Sequence, residues 1–242
     1  MMPVVRRSED LKLAIMQPYF FPYIGYFQLI ASVDLFIVYD NIKYTKKGWI
    51  NRNRLLQNGK DLLFSLPLKS DSDSLDVCER EISNDFKHEK LLNQLKDAYR
   101  RAPFFLPTFP LLEQIVRYED KNLFRFLYHS IVRLCEHLDI NTEIRKSSDI
   151  EIDHQLKNQD KVMALCLAVG AGSYVNAIGG LELYSKTAFL EKGIDLKFIQ
   201  SKPFEYPQFG GAFVPWLSII DVMMFNSKEA IHLAITENYL LV

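Results

Sequence analysis

The chain has 242 residues, 48% of them hydrophobic and 24% charged, with 10 Gly and 10 Pro, a composition that excludes disordered, collagen-like and coiled-coil classes. Lys and Arg total 29 against 30 for Asp and Glu, a net charge of −1, which excludes a general nucleic-acid-coating role, so no DNA partner is expected. Cys78, Cys135 and Cys166 are far apart and lack CxxC spacing, so neither a disulfide framework nor a zinc site is indicated and a reducing, cytoplasmic setting is expected. The charged start, Met1–Asp10, and the short apolar run after it do not read as a signal peptide, and no stretch reaches the ~20 apolar residues of a membrane span.

Leu11–Met16 (LKLAIM) predicts a buried strand that ends at Gln17-Pro18, because proline has no amide hydrogen for a ladder. The loop QPYFFPYIG follows. Apolar spacing then predicts a helix over Tyr23–Ser32, and DLFIVY at Asp34–Tyr39 a second strand covered on both faces. Such a β-loop-α-β unit places ligands beyond the carboxyl ends of its strands, around Gln17–Gly25 and Asp40–Tyr44. Asp61–Leu68 predicts another strand, followed by an acidic, serine-containing loop, Lys69–Asp76.

Helices are predicted over Asn84–Ala102, Leu111–Tyr118 and Lys121–Leu138, giving a helical section at about 84–138. Thr142–Arg145 is a strand candidate, Asp160–Val169 a helix ended by Gly170, and Ser173–Ala177 a strand leading into Ile178-Gly179-Gly180. A short helix at Ser185–Lys192, stopped by Gly193, precedes the strand Ile194–Ile199. A Pro- and aromatic-rich loop, Pro203–Pro215, and helices over Leu217–Phe225 and Ser227–Asn238 close the chain. No low-complexity linker interrupts it. The expectation is one α/β domain with a mainly parallel, Rossmann-like sheet flanked by helices.

The densest chemistry lies in DNIKYTKKGWINRNR, Asp40–Arg54. Five cations, Lys43, Lys46, Lys47, Arg52 and Arg54, occur there after Asp40 with no further acid, a grouping suited to phosphate oxygens. Tyr44 and Trp49 are candidates to stack a base or cover a sugar ring, and Asn51 and Asn53 to bond hydroxyls. The plain alternative is a solvated loop or hairpin whose charges face water. In the QPYFFPYIGY loop, Gln17, Pro18, Tyr19, Pro22 and Tyr23 predict a rigid aromatic wall, and Gly25 permits close backbone approach. Tyr174, Asn176, Gly179 and Gly180 form a second candidate wall. Asp40, at a strand end, and His154, in a loop, are the candidate acid/base groups. His88, His129, His137 and His232 lie on predicted helices without metal-ligand spacing, so no metal site is expected. Ser218 and Asp221 have the spacing of a helix capping box.

The opening unit resembles nucleotidylyltransferase-type α/β folds, although those enzymes carry a His soon after the loop glycine and Tyr26 follows Gly25 in this chain. A longer resemblance rests on AIMQPYFFPYIGYFQLI, DLFIVYDNIKYTKKGWINRNR, YVNAIGGLELY and YPQFGGAFVPWLSIIDVMMFN. Together, from about Leu13 to the C-terminus, they resemble the WbqC-like family. That family is associated with bacterial O-antigen and surface-polysaccharide gene clusters, and some members have been proposed to transfer glycine or a related acyl group to an amino sugar. The resemblance implies a transferase acting on a dTDP- or UDP-linked amino sugar, with a thioester or charged tRNA among the possible acyl donors and no cofactor firmly implied. For such a transfer Asp40 or His154 is the candidate base, and Lys47, Arg52, Asn51 or Asn176 the candidate donor to the developing oxyanion. The alternatives are nucleotidyl transfer and noncatalytic recognition of a sugar nucleotide.

Overall fold

The computed structural model describes residues 11–242; the reading of Met1–Asp10 given above lies outside them. A six-stranded sheet has the order β5-β2-β1-β6-β7-β8, with β1 Lys12–Met16, β2 Leu35–Val38, β5 Glu143–Lys146, β6 Ser173–Ala177, β7 Asp195–Ser201 and β8 Tyr239–Leu241. All neighbours are parallel except β8, which runs antiparallel to β7. Counted among the sheet's own strands this is 3-2-1-4-5-6, the doubly wound order that reverses between its first and fourth strands. That reversal falls between β1 and β6, where Ala14 is paired with Val175. The carboxyl ends of these strands, at Met16 and Ala177, therefore lie side by side.

The apolar runs of β1 and β2 are needed because both faces of the sheet are covered. Leu13, Ile15, Leu35 and Ile37 pack into one hydrophobic cluster, and Ala14, Phe36 and Val38 into the other, the period-2 alternation of a strand. Helix α5 (Asn158–Val169) lies with the first cluster. Helices α1 (Ile24–Ala31), α7 (Ile219–Phe225) and α8 (Lys228–Thr236) lie with the second. The second cluster continues without a break into the helical section α2 (His88–Tyr99), α3 (Phe105–Val116) and α4 (Leu123–His137). At the end of α5, Gly170 takes a left-handed φ of 70° and Ala171 N–H returns to Cys166 O at 2.9 Å, which caps the last carbonyls. The remaining short helix, α6, is Lys186–Leu190.

Three elements differ from the sequence reading. Arg52–Gln57 is a strand, β3, paired with β4 (Lys60–Ser65) in an antiparallel hairpin, so part of the cationic stretch is rigid. Its turn is Asn58-Gly59, with both φ values positive at 51° and 74°, the geometry that favours Asn-Gly between twisted strands. Helix α3 begins at Phe105, ahead of the expected Leu111, with Pro110 inside it. The C-terminal residues after α8 form β8 and close the sheet with its antiparallel edge.

Gly25 has a specific reason to be glycine. A Cβ there would lie 2.4 Å from the ring of Tyr23. The ring is the mobile end of a side chain, so Gly25→Ala is expected to leave α1 folded and push Tyr23 off its seat. Near-ultraviolet circular dichroism should change while the far-ultraviolet spectrum stays as it is.

Candidate functional site

The loop that leaves the carboxyl end of β1 is clamped from several sides. Phe20 N–H bonds Trp49 O at 3.1 Å and Ile219 N–H bonds Pro22 O at 2.8 Å. Asn53 Nδ2 donates to Phe20 O and Phe21 O at 3.0 and 2.8 Å, and Ser218 Oγ donates to Phe21 O at 2.7 Å. Phe21 is thereby held at a φ of 43°, a conformation that costs a bulky residue energy and persists only where surroundings enforce it. Tyr26 Oη donates to Gln17 O at 3.0 Å, and Pro18 is buried. The two prolines and the buried Phe20 and Phe21 thus form the rigid floor expected of this loop.

That floor supports a cavity of about 160 Å³ lined by Tyr19, Pro22, Tyr23, Trp49, Asn53, Arg54 and Trp216. Tyr23 and Trp216 meet edge-on with centroids 6.1 Å apart, and the Arg54 guanidinium lies 5.5 Å from the Trp49 ring centroid. Arg54 is braced by Asp61 at 3.2 Å and donates from Nη2 to Trp216 O at 3.1 Å. Its buried Nε has no partner. Trp216 itself has a φ of 60° and is 60% exposed.

The sequence reading named Tyr19, Tyr23, Trp49 and Asn53 for this region, and the structure brings them together. It did not name Arg54 as a lining residue or Trp216 at all. Trp216 was legible only as an aromatic following the Pro- and Gly-rich loop Pro203–Pro215. Several expected ligand groups are engaged by the protein instead. Asn51 accepts from Tyr44 Oη and donates to Leu66 O, both at 2.8 Å. Asn53 spends its amide on the loop carbonyls and accepts from Arg54 N–H. Asn53 therefore holds backbone, and Asn51 links the Tyr44 hydroxyl to the Leu66 carbonyl. Tyr44 is buried beneath Arg80. Arg52 is anchored through Nε, which donates to Gly48 O at 2.9 Å and leaves its Nη groups for other contacts, and Lys47 is exposed.

The diglycine turn contributes no residue to this lining. Tyr174 is a core residue, fully buried and stacked on Phe189 at 5.5 Å. Asn176 Oδ1 accepts from Ala177 N–H at 2.8 Å. Gly180 admits the Asn176 amide, since a Cβ there would lie 2.4 Å from Nδ2, whereas Gly179 has open space around it.

At the carboxyl end of β2 a second polar group forms. Asp40 is 4% exposed; its Oδ1 accepts from Ser147 Oγ at 2.6 Å and from Ser148 N–H at 2.9 Å. Burial acts to raise its pKa, but the bonds from Ser147 and Ser148 outweigh burial and hold it below the ordinary value. An ionised, enclosed carboxylate of this kind positions neighbours and is a poor proton acceptor. Ser147 Oγ also contacts Asn41 Oδ1 at 2.8 Å, and Asn41 Nδ2 contacts His154 Nδ1 at 2.8 Å. One hydroxyl proton cannot serve both Asp40 and Asn41. Turning the Asn41 amide gives each contact one proton: Ser147 donates to Asp40, Asn41 to Ser147, and His154 Nδ1–H to Asn41. His154 Nε2 has no protein partner among the described residues and reaches solvent. Lys161 is buried, donates to Asn41 O at 3.1 Å and lies 5.1 Å from the Tyr39 ring centroid.

Ser218 caps α7 by accepting from Ile220 N–H at 3.2 Å, but Asp221 does not close a capping box. Its carboxylate accepts from Tyr99 Oη at 2.9 Å, Tyr206 Oη at 2.7 Å and Gln208 Nε2 at 2.6 Å, while Ser218 N–H bonds Arg54 O at 2.9 Å. Asp221 thus ties the Tyr206–Gln208 stretch to α2 and α7. Among the described residues no group of His, Cys, Asp and Glu could hold a metal ion, and no helix is long and apolar enough to cross a membrane.

Fold and cavity together define an α/β protein with a doubly wound, mainly parallel sheet and an aromatic crevice built on the loop that leaves its first strand. The profile of the WbqC-like protein family matches residues 17–233, and the chain belongs to that family. It is similar to uncharacterized protein Rv1507c of Mycobacterium tuberculosis (strain ATCC 25618 / H37Rv), with 27% identity over 235 residues, 90% of this chain and 95% of that protein. No solved structure matches it.

Proposed function

We propose that the protein is a transferase that adds an aminoacyl group, glycyl among the candidates, or another acyl group to a dTDP- or UDP-linked amino sugar for surface-polysaccharide synthesis. The observation that carries this reading is the crevice lined by the aromatic rings of Tyr19, Tyr23, Trp49 and Trp216 and by Arg54. A pyrimidine base stacks on aromatic faces, and the Arg54 side chain beside Trp49 supplies a cationic donor group in the lining.

In the transfer, the sugar amine attacks the acyl carbonyl carbon, a C–N bond forms, and the C–S bond of a thioester or the C–O bond of a charged tRNA breaks. His154 Nε2 takes the amine proton and returns it to the departing thiolate or alkoxide, with Asp40, Ser147 and Asn41 as positioning residues. Burial pushes Cys78 up to about 11 and Cys135 and Cys166 up to about 12, so these side chains stay as thiols near pH 7 and direct transfer is preferred over a cysteine acyl-enzyme. Tyr23 packs over Gly25 at the start of α1, where a nucleotidyltransferase would need open amides for a triphosphate.

Mass spectrometry of the purified protein with UDP- and dTDP-amino sugars and a panel of acyl-CoA thioesters or aminoacyl-tRNAs tests the reading. The sugar nucleotide is expected to gain the acyl mass, and His154→Gln to lower kcat about 100-fold with KM little changed. Nitrogen-15 NMR of the free protein should find Nδ1 of neutral His154 protonated; an Nε2–H tautomer contradicts its role as base. Pyrophosphate release from a nucleoside triphosphate would instead favour nucleotidyl transfer, and binding without turnover of any donor a recognition module.

A further inference from the structure

The stretch 42–44 pairs with 75–77 through Tyr44 N–H to Leu75 O at 3.1 Å and Val77 N–H to Ile42 O at 2.9 Å. This pairing sets the cations that follow Ile42 against the acidic loop. Within it, Arg80 is 4% exposed. Its guanidinium lies 4.8 Å from the Tyr44 ring centroid, Nη1 donates to Ser72 O at 2.9 Å, and the buried Nε–H has no partner. Among the described residues no carboxylate forms a salt bridge with it. A buried guanidinium with no carboxylate in direct contact is costly, and the Tyr44 face and the charge of nearby Asp73 offset only part of that cost.

Further cations surround the same tyrosine. Burial raises the Tyr44 hydroxyl pKa, and Arg80, Arg52 and Lys46 act against that rise through their charges. Lys46 Nζ pairs with Asp73 Oδ1 at 2.8 Å, the side chains being 67% and 64% exposed. Asp73 is held below the ordinary carboxyl value first by that hydrogen bond, against slight desolvation, and then by the charges of Lys46, Arg80 and Lys43. Exposed pairs of this kind are weak and readily exchanged for a better anion.

We propose that Arg80, Arg52 and Lys46 form a diphosphate subsite, with Asp73 as the carboxylate that an incoming phosphate displaces from Lys46. The subsite rests on the sugar-nucleotide reading and adds to it the group gripped and the residue that guards it. Trp49, between Lys46 and Arg52 in the chain, lines the aromatic cavity, so one segment supplies both the ring contact and the phosphate contact. Arg80 presents a fork fixed by burial, whereas Lys46 is a mobile point charge.

Calorimetric titration of the full chain with inorganic pyrophosphate, without sugar or acyl donor, tests the subsite. Saturable binding is expected. Asp73→Asn should tighten it about threefold, and Arg52→Gln should weaken it. Asp71→Asn makes the same charge change in the same loop without releasing Lys46, and should have less effect than Asp73→Asn. Absence of saturable binding in both the wild type and Asp73→Asn, or equal tightening by the two Asp variants, overturns the subsite. Because pyrophosphate carries neither base nor amine, its failure to bind is distinguishable from failure of acyl transfer.

Discussion

Asp221→Ala is expected to lower the stability of the protein by about 3 kcal/mol or more at pH 7, because it strands several buried donors at once. The lost carboxylate is fully buried, and Tyr99, Tyr206 and Gln208 all donate to it. For a chain of this size the melting temperature should fall by roughly 6–12 °C. The pH dependence has a definite sign. Burial raises the Asp221 carboxyl above its ordinary 3.8, against the hydrogen bonds from Tyr206, Gln208 and Tyr99. The folded state therefore binds this proton more tightly than the unfolded chain, and the stabilisation linked to it is lost as pH rises from about 4 through the folded-state value. Urea midpoints of wild type and variant should accordingly converge as pH rises across that window; a gap that widens would contradict the assignment.

This carboxylate also marks where sequence reasoning reaches its limit. A Ser three residues before an Asp at a helix start is correctly read as a cap for Ser218, but the direction in which Asp221 turns depends on Tyr99 and Tyr206, which only the folded chain brings near. The doubly wound sheet was legible because LAIM, LFIV and SYVNA are short apolar or β-branched runs with breakers after them, a signal that follows from burial on both faces. Strand β3 was not, because four of the six residues of RNRLLQ are polar and its partner contributes LLF with both Leu62 and Leu63 exposed. The Asn58-Gly59 dipeptide was the signal that would have exposed the hairpin.

The candidate site divides in the same way. Composition located the aromatic loop and the cationic segment, since residues of those types collected there. It did not reveal that Asn51 is engaged by Tyr44 and Leu66 and Asn53 by backbone, that Lys46 is matched by Asp73, or that Arg80 arrives from another loop. Those are pairings across the chain, and spacing within one segment carries no trace of them. β1 and β6 are neighbours in the sheet, but the cavity opens on the side of Trp49 and Trp216 and takes no lining residue from the diglycine turn.

Trp49→Ala and Trp216→Ala are each expected to weaken binding of a UDP- or dTDP-linked amino sugar by about 30-fold, in line with roughly 2 kcal/mol for stacking a base on an aromatic face. Neither change should unfold the chain, because Trp49 is 39% exposed and Trp216 60% exposed. The two effects should not add, since both side chains line one cavity and loss of either leaves the ring half covered. Calorimetry on the single and double variants checks both statements. A double variant that loses the full product of the single effects would mean that the tryptophans act at separate sites.

Trp49 and Trp216 are the 2 tryptophans of the chain, and both line the cavity, so intrinsic tryptophan fluorescence reads its occupancy directly. Titration with a UDP- or dTDP-linked amino sugar should change the emission saturably, at the concentrations where calorimetry records binding. Heat of binding with unchanged emission, or no binding of any such sugar, would contradict the account.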